Sequence, residues 1–186
     1  MRRLVATCAL VTALPLGACG SGEERLGDAA AAQTSPATQA VSTITGEYRD
    51  ELATICKRKG KSIRRWISQI DDVSIAQTGT LQTAAWLAAR DLGKLIEALE
   101  GVPAPDPEAE SAARAITERL DELRETQQTI ADTIEQAALS GSPAQMQLQM
   151  ESVITRVENV PIQTEALVEV AEQAGVEPCG IFKPRD

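Results

Sequence analysis

Residues 106–141 read DPEAESAARAITERLDELRETQQTIADTIEQAALSG. Within them Ile116, Leu120, Leu123, Ile130, Ile134 and Ala137 recur at alternating steps of four and three, with Gln127 in the gap. Such steps keep side chains on one face of a helix that turns every 3.6 residues. Glu118, Asp121, Glu122, Glu125 and Asp132 fall on the far side. Asp106 is placed to cap this helix, Pro107 fits its first turn and Gly141 closes it.

The same spacing extends outward in both directions, with almost no strand alternation. A first helix is expected from about Gly46 to Ile70, with Tyr48, Leu52, Ile55, Cys56, Ile63, Trp66, Ile67 and Ile70 on one arc. A second is expected from about Thr80 to Glu100, with a stripe of Leu81, Ala85, Ala88, Leu92, Leu95, Ile96 and Leu99 before Gly101 and Pro103 end it. A fourth begins with Ser142 as cap and Pro143 in its first turn, and it ends at Gly175. Its face is Met146, Met150, Val153, Val157, Val160, Leu167, Val170 and Ala171. Pro161 lies inside it, removes one backbone hydrogen bond and is expected to kink or split it. Four amphipathic helices with short connections give an all-α, up-down four-helix bundle with a kinked fourth helix.

Composition agrees. Hydrophobic residues make up 43% of 186 and aromatics 2%. A core of Ala, Leu, Ile and Val with so few rings suits packed helices better than a sandwich of sheets. The formal charge is −9, which argues against general nucleic-acid binding, since phosphates would be repelled. Histidine is absent, which excludes Ser-His-Asp or Cys-His nucleophiles and His-ligated zinc or di-iron sites.

Residues 1–18 have the layout of an export signal. Arg2 and Arg3 precede an apolar run from Leu4 to Leu16, 13 residues long. A bilayer span needs roughly 20. Small residues follow. The stretch Leu16-Gly17-Ala18-Cys19 resembles the lipobox of bacterial lipoproteins. The resemblance covers the first 19 residues and implies that Cys19 is acylated and becomes the mature N-terminus. An ordinary secretory signal with a chance cysteine is the alternative. Two acyl chains anchor firmly, at about 0.8 kcal/mol per buried methylene. Without Arg2 and Arg3 the mature chain has 16 cations against 27 acids, a net charge of −11. Residues 20–43 are small and polar without apolar periodicity, as in a disordered tether whose r.m.s. span is about 27 Å. The expected organisation is a signal peptide over 1–18, a lipidated N-terminus and tether over 19–43, and a helical domain over 44–186. The expected location is the extracytoplasmic face of the cell membrane.

Cys8 leaves with the leader and Cys19 carries lipid, so Cys56 and Cys179 remain. Outside the cytoplasm an even pair is expected to form a disulfide. Antiparallel packing of the first and fourth helices brings the two positions together; two free thiols are the alternative. The run Ala171, Ala174, Gly175, Val176, Glu177, Pro178, Cys179, Gly180 is also similar in layout to small helical lipoproteins of high-GC Gram-positive bacteria. That likeness supports fold and address and implies no activity.

Residues 57–65 hold six cations. Lys57, Arg58, Lys61, Arg64 and Arg65 share an arc of about 120° away from the apolar face. They form either a basic stripe for an anionic partner or a solvated face paired with acids of neighbouring helices. Lys59 falls within the apolar arc. It either marks a polar pocket shared with Gln127 or packs its stem and reaches water. Gln127 alternatively sets helix register. Trp86 lies off its stripe beside Arg90, either as an interface anchor or as cover for the tether or another helix end. Glu165, Glu169 and Glu172 share a face, and carboxylates so spaced can bind a hard cation, but supporting ligands are missing. No catalytic, metal or cofactor motif is found. The expected function is a non-enzymatic module that binds an envelope protein or an anionic polymer. The alternative is a small-ligand carrier with a cavity near Lys59, Gln127 and Pro161.

Overall fold

The helix read from residues 106–141 runs from Pro107 to Leu139 in a computed structural model that describes residues 43–72 and 77–180. The signal peptide, Cys19 and the tether up to residue 42 lie outside the described residues. Four helices are present: α1 (Gly46–Asp72), α2 (Thr78–Glu100), α3 (Pro107–Leu139) and α4 (Pro143–Gln173). A short 3-10 turn, Glu177–Cys179, follows α4. There is no strand among the described residues. The fold is an all-α four-helix bundle, as the periodicity requires.

The caps behave unequally. Asp106 accepts a hydrogen bond from the Ala109 amide at 2.7 Å and caps α3. Ser142 stands at the start of α4 in extended conformation, but its hydroxyl makes no capping bond, contrary to expectation. It is exposed, so water can serve the first-turn amides instead. At the other end of α4 the Val176 amide donates to Ala171 O at 2.8 Å and the Gly175 amide to Glu172 O at 3.0 Å. This pair of bonds is a Schellman closure. It needs a left-handed residue, and Gly175 has φ 76°. The Ile44 amide donates to Ala174 O at 2.8 Å, which ties the entering chain to the end of α4.

α1 packs on α2, α2 on α3 and α3 on α4; the turn Glu177–Cys179 packs on both α1 and α4. Cys56 and Cys179 form a disulfide with Cα atoms 4.9 Å apart, across 123 residues of sequence. Contrary to expectation, α1 and α4 do not pack extensively on each other; the clasp joins the turn after α4 to α1. The core contains Leu52, Ile63, Leu92, Leu95, Ile116, Leu120, Leu123, Ile130 and Leu167, all fully buried.

α4 departs most from expectation. It runs without a break through Pro161, whose ring is exposed, so the helix is not split. Its buried seam is Val153, Val160, Thr164, Leu167 and Ala171. Met146, expected in the core, is exposed, as are all residues from Pro143 to Leu148. Periodicity selected the face correctly but not where along it the partner helices stop.

Candidate functional site

The outer face of α1 changes character along its length. Its first turns expose Glu47, Asp50 and Glu51, with Arg49 paired to Asp50 at 2.8 Å. Farther along, Lys57, Arg58, Lys61, Arg64 and Arg65 are all exposed. Among the described residues none of these five forms an ion pair. The other described ion pairs join neighbours on α2 or on α3. Among the described residues the acids are therefore not spent on neutralising the stripe.

The stripe does not stop at the edge of α1. The Arg65 guanidinium lies over the Trp66 ring, 4.6 Å from its centroid. Trp66 is half-buried against the core, and its indole Nε1–H donates to Asp91 Oδ2 on α2 at 3.2 Å. A mostly buried tryptophan must find an acceptor for that proton, and Asp91 supplies it. Arg90 donates through Nε and Nη2 to Asp91 Oδ1 at 3.1 and 2.9 Å. The Arg90 guanidinium in turn lies 5.5 Å from the centroid of the Trp86 ring. Contacts thus run Arg65, Trp66, Asp91, Arg90, Trp86. The basic stripe and Trp86, separate candidates in the sequence, belong to one continuous face across α1 and α2.

Asp91 holds this face together. Burial alone would raise its carboxyl, but hydrogen bonds from Arg90 and Trp66, the Arg90 charge and the nearby Ser62 hydroxyl outweigh that and lower it. It is ionised at neutral pH and fixes both Trp66 and Arg90. The sequence reading missed it. The signal available was an acid on the flank of the α2 stripe, opposite a tryptophan at the edge of the α1 stripe.

The core polar pair is different. Gln127 is fully buried, with neither Nε2 nor Oε1 in a hydrogen bond. Lys59 is half-buried and makes no bond to it. The neighbouring Thr126 accepts from Gln163 Nε2 of α4 at 2.9 Å, so Gln127 lies close in level to Pro161. Four surface hollows among the described residues are lined by residues other than Lys59, Gln127 and Pro161. Glu165, Glu169 and Glu172 are exposed on α4. Among the described residues no three carboxylates or cysteines converge as a metal ion would need. No helix among them is long and apolar enough to cross a membrane.

Comparison with known proteins gives no match: neither a family model, nor a curated protein, nor a solved structure matches this chain.

Proposed function

We propose that this chain is a lipid-anchored extracytoplasmic lipoprotein whose helical domain is a non-enzymatic module that binds an anionic polymer or protein surface of the cell envelope. The observation that carries the reading is the basic stripe. Five exposed cations without acidic partners among the described residues, in a chain of net charge −9, are costly in mutual repulsion. A partner that supplies the missing anions relieves it. The contact chain through Asp91 adds Trp86 and Arg90, residue types that anchor interfaces. The lipobox-like Leu16–Cys19 and a disulfide suited to an oxidising compartment support the address.

The test uses the full chain and poly(glycerol phosphate) as a defined polyanion. Replacing Lys57, Lys61, Arg64 and Arg65 by glutamine is expected to weaken capture at low salt by at least about tenfold, equivalent to about 1.4 kcal/mol. Equal capture by the variant would remove the reading.

A second reading, a small-ligand carrier, is favoured by one observation, the unpaired buried amide of Gln127. A small polar ligand would complete it. Native mass spectrometry of the protein extracted gently from its own membranes separates the two. A bound small molecule that survives desalting and is lost on unfolding supports the carrier; a bare lipidated monomer or a second protein supports the binding module.

A further inference from the structure

Trp86 and Arg90 also border a groove between α2 and α3 of about 660 Å³. Its floor is Ala89 and Gly93. Gly93 sits inside α2, where glycine is less favourable than alanine. Nothing in the fold asks for it. Its backbone is not among the left-handed glycines. A Cβ there would meet only Arg124 Cδ at 3.7 Å, an ordinary contact. The absent methyl keeps the floor of the groove open rather than relieving a clash.

The walls are held back in the same way. Arg124 donates to Asp121 on its own helix at 2.7 Å, Gln128 to Asp132 at 2.8 Å, and Arg90 to Asp91. These long side chains line the groove, Arg124 with its Cδ over Gly93, and their polar ends are tied to acids of their own helices. A groove arranged before binding loses less on binding.

The lining chemistry selects the occupant. No Leu, Ile, Val or Met lines the groove, so an apolar helix gains little there. Glu97 and Glu125 stand on opposite walls and oppose a polyanion. Arg90, Lys94 and Arg124 oppose a polycation. What remains is an uncharged chain rich in hydroxyls. The C–H face of a sugar ring stacks on an exposed indole, and Trp86 is 50% exposed. Carboxylates on both walls accept from hydroxyls and guanidinium groups donate to them, while the Thr129 hydroxyl, whose proton goes to Glu125 O at 2.8 Å, can accept. From Trp86 to Glu97 the groove follows α2 for about 16 Å, room for several rings.

We infer that the groove between α2 and α3 is a subsite for a neutral glycan chain, with Trp86 as the stacking platform and Gly93 as the open floor. It adjoins the face that carries the basic stripe and shares Trp86 and Arg90 with it, but Gly93 belongs to the groove alone and the five stripe cations to the stripe alone.

The experiment titrates the full chain in detergent with chitotetraose, maltotetraose and mannotetraose, reading the indole N–H signals by NMR. Saturable binding of at least one is expected, shifting Trp86 in preference to Trp66 and little affected by salt. Trp86→Ala and Gly93→Leu should each weaken it at least about tenfold. Gly93→Ala should raise Tm and still weaken binding, which separates loss of the site from loss of the fold. Glutamine at Lys57, Lys61, Arg64 and Arg65 should leave glycan binding unchanged, so failure of the polyanion reading and failure of this one are distinguishable. No saturable binding of any of these sugars in the millimolar range, or binding that survives Gly93→Leu, overturns the proposal.

Discussion

Asp91 joins two helices through one carboxylate, and its side chain is only 14% exposed. Replacing it with asparagine keeps the shape and removes the charge. The loss should be about 1–2 kcal/mol, since charge-assisted bonds to Trp66 and Arg90 weaken together. The pH dependence follows from the lowered carboxyl. The stabilisation is fully present above the ordinary value of 3.8 and is lost as pH falls through the lower folded-state value. Urea unfolding of wild type and Asp91→Asn should therefore differ by a constant amount near neutrality and converge in strong acid. Gln127 makes the opposite prediction. Its buried amide has no partner, so Gln127→Met removes a desolvation cost at nearly constant volume. Stability should rise by about 1–2 kcal/mol in the same assay. A loss instead would mean that the amide is satisfied in solution. The sequence marked Gln127 as the polar break in an apolar row, because a row of seven positions shows its one exception. It could not mark Asp91, whose role depends on which residue of α1 lies opposite.

Among the elements, α3 was readable almost to the residue and α4 was not. α3 has a single apolar row, acids behind it and a capping aspartate at its start. α4 carries apolar residues on several sides, and Leu148 and Ile162 are 67% and 63% exposed. A row drawn through it is therefore one choice among several, and its first two turns lie beyond the packed seam. Pro161 is the element's other peculiarity. It leaves the Val157 carbonyl without its helical donor, while its own ring touches solvent rather than core. Pro161→Ala restores that bond without removing buried surface. Thermal unfolding should show a gain on the order of 1–3 kcal/mol. No gain would indicate that α4 already adjusts its bonding around the proline. The basic stripe on α1 is also an element-scale feature. Its arc was legible from spacing alone, but its lack of acidic partners was not, because pairing depends on the neighbouring helices.

At the scale of the whole molecule, the clasp between Cys56 and Cys179 fastens the chain's end to α1 and closes the ring of helices. Its pairing was expected from the count of cysteines and an extracytoplasmic reading, while the packing of first on fourth helix invoked for it is replaced by the turn Glu177–Cys179 lying on α1. Replacing both cysteines with serine should cost roughly 4–5 kcal/mol by the loop-closure argument, read as a lower denaturant midpoint. A much smaller cost would mean that packing of Val176 and Ile44 holds this end unaided. The joined face and the groove were illegible for a common reason: both lie between helices, and periodicity fixes faces but not registers. If this face binds a polyanion through the exposed cations of the stripe, binding must weaken as salt screens them. The measurement is the affinity of the full chain for poly(glycerol phosphate) across a series of salt concentrations, beside the variant with glutamine at Lys57, Lys61, Arg64 and Arg65. Wild-type affinity should fall steeply with salt, and the variant's slope should be smaller by on the order of 2–3, as counterion release requires. Equal slopes, or binding indifferent to salt, would contradict it.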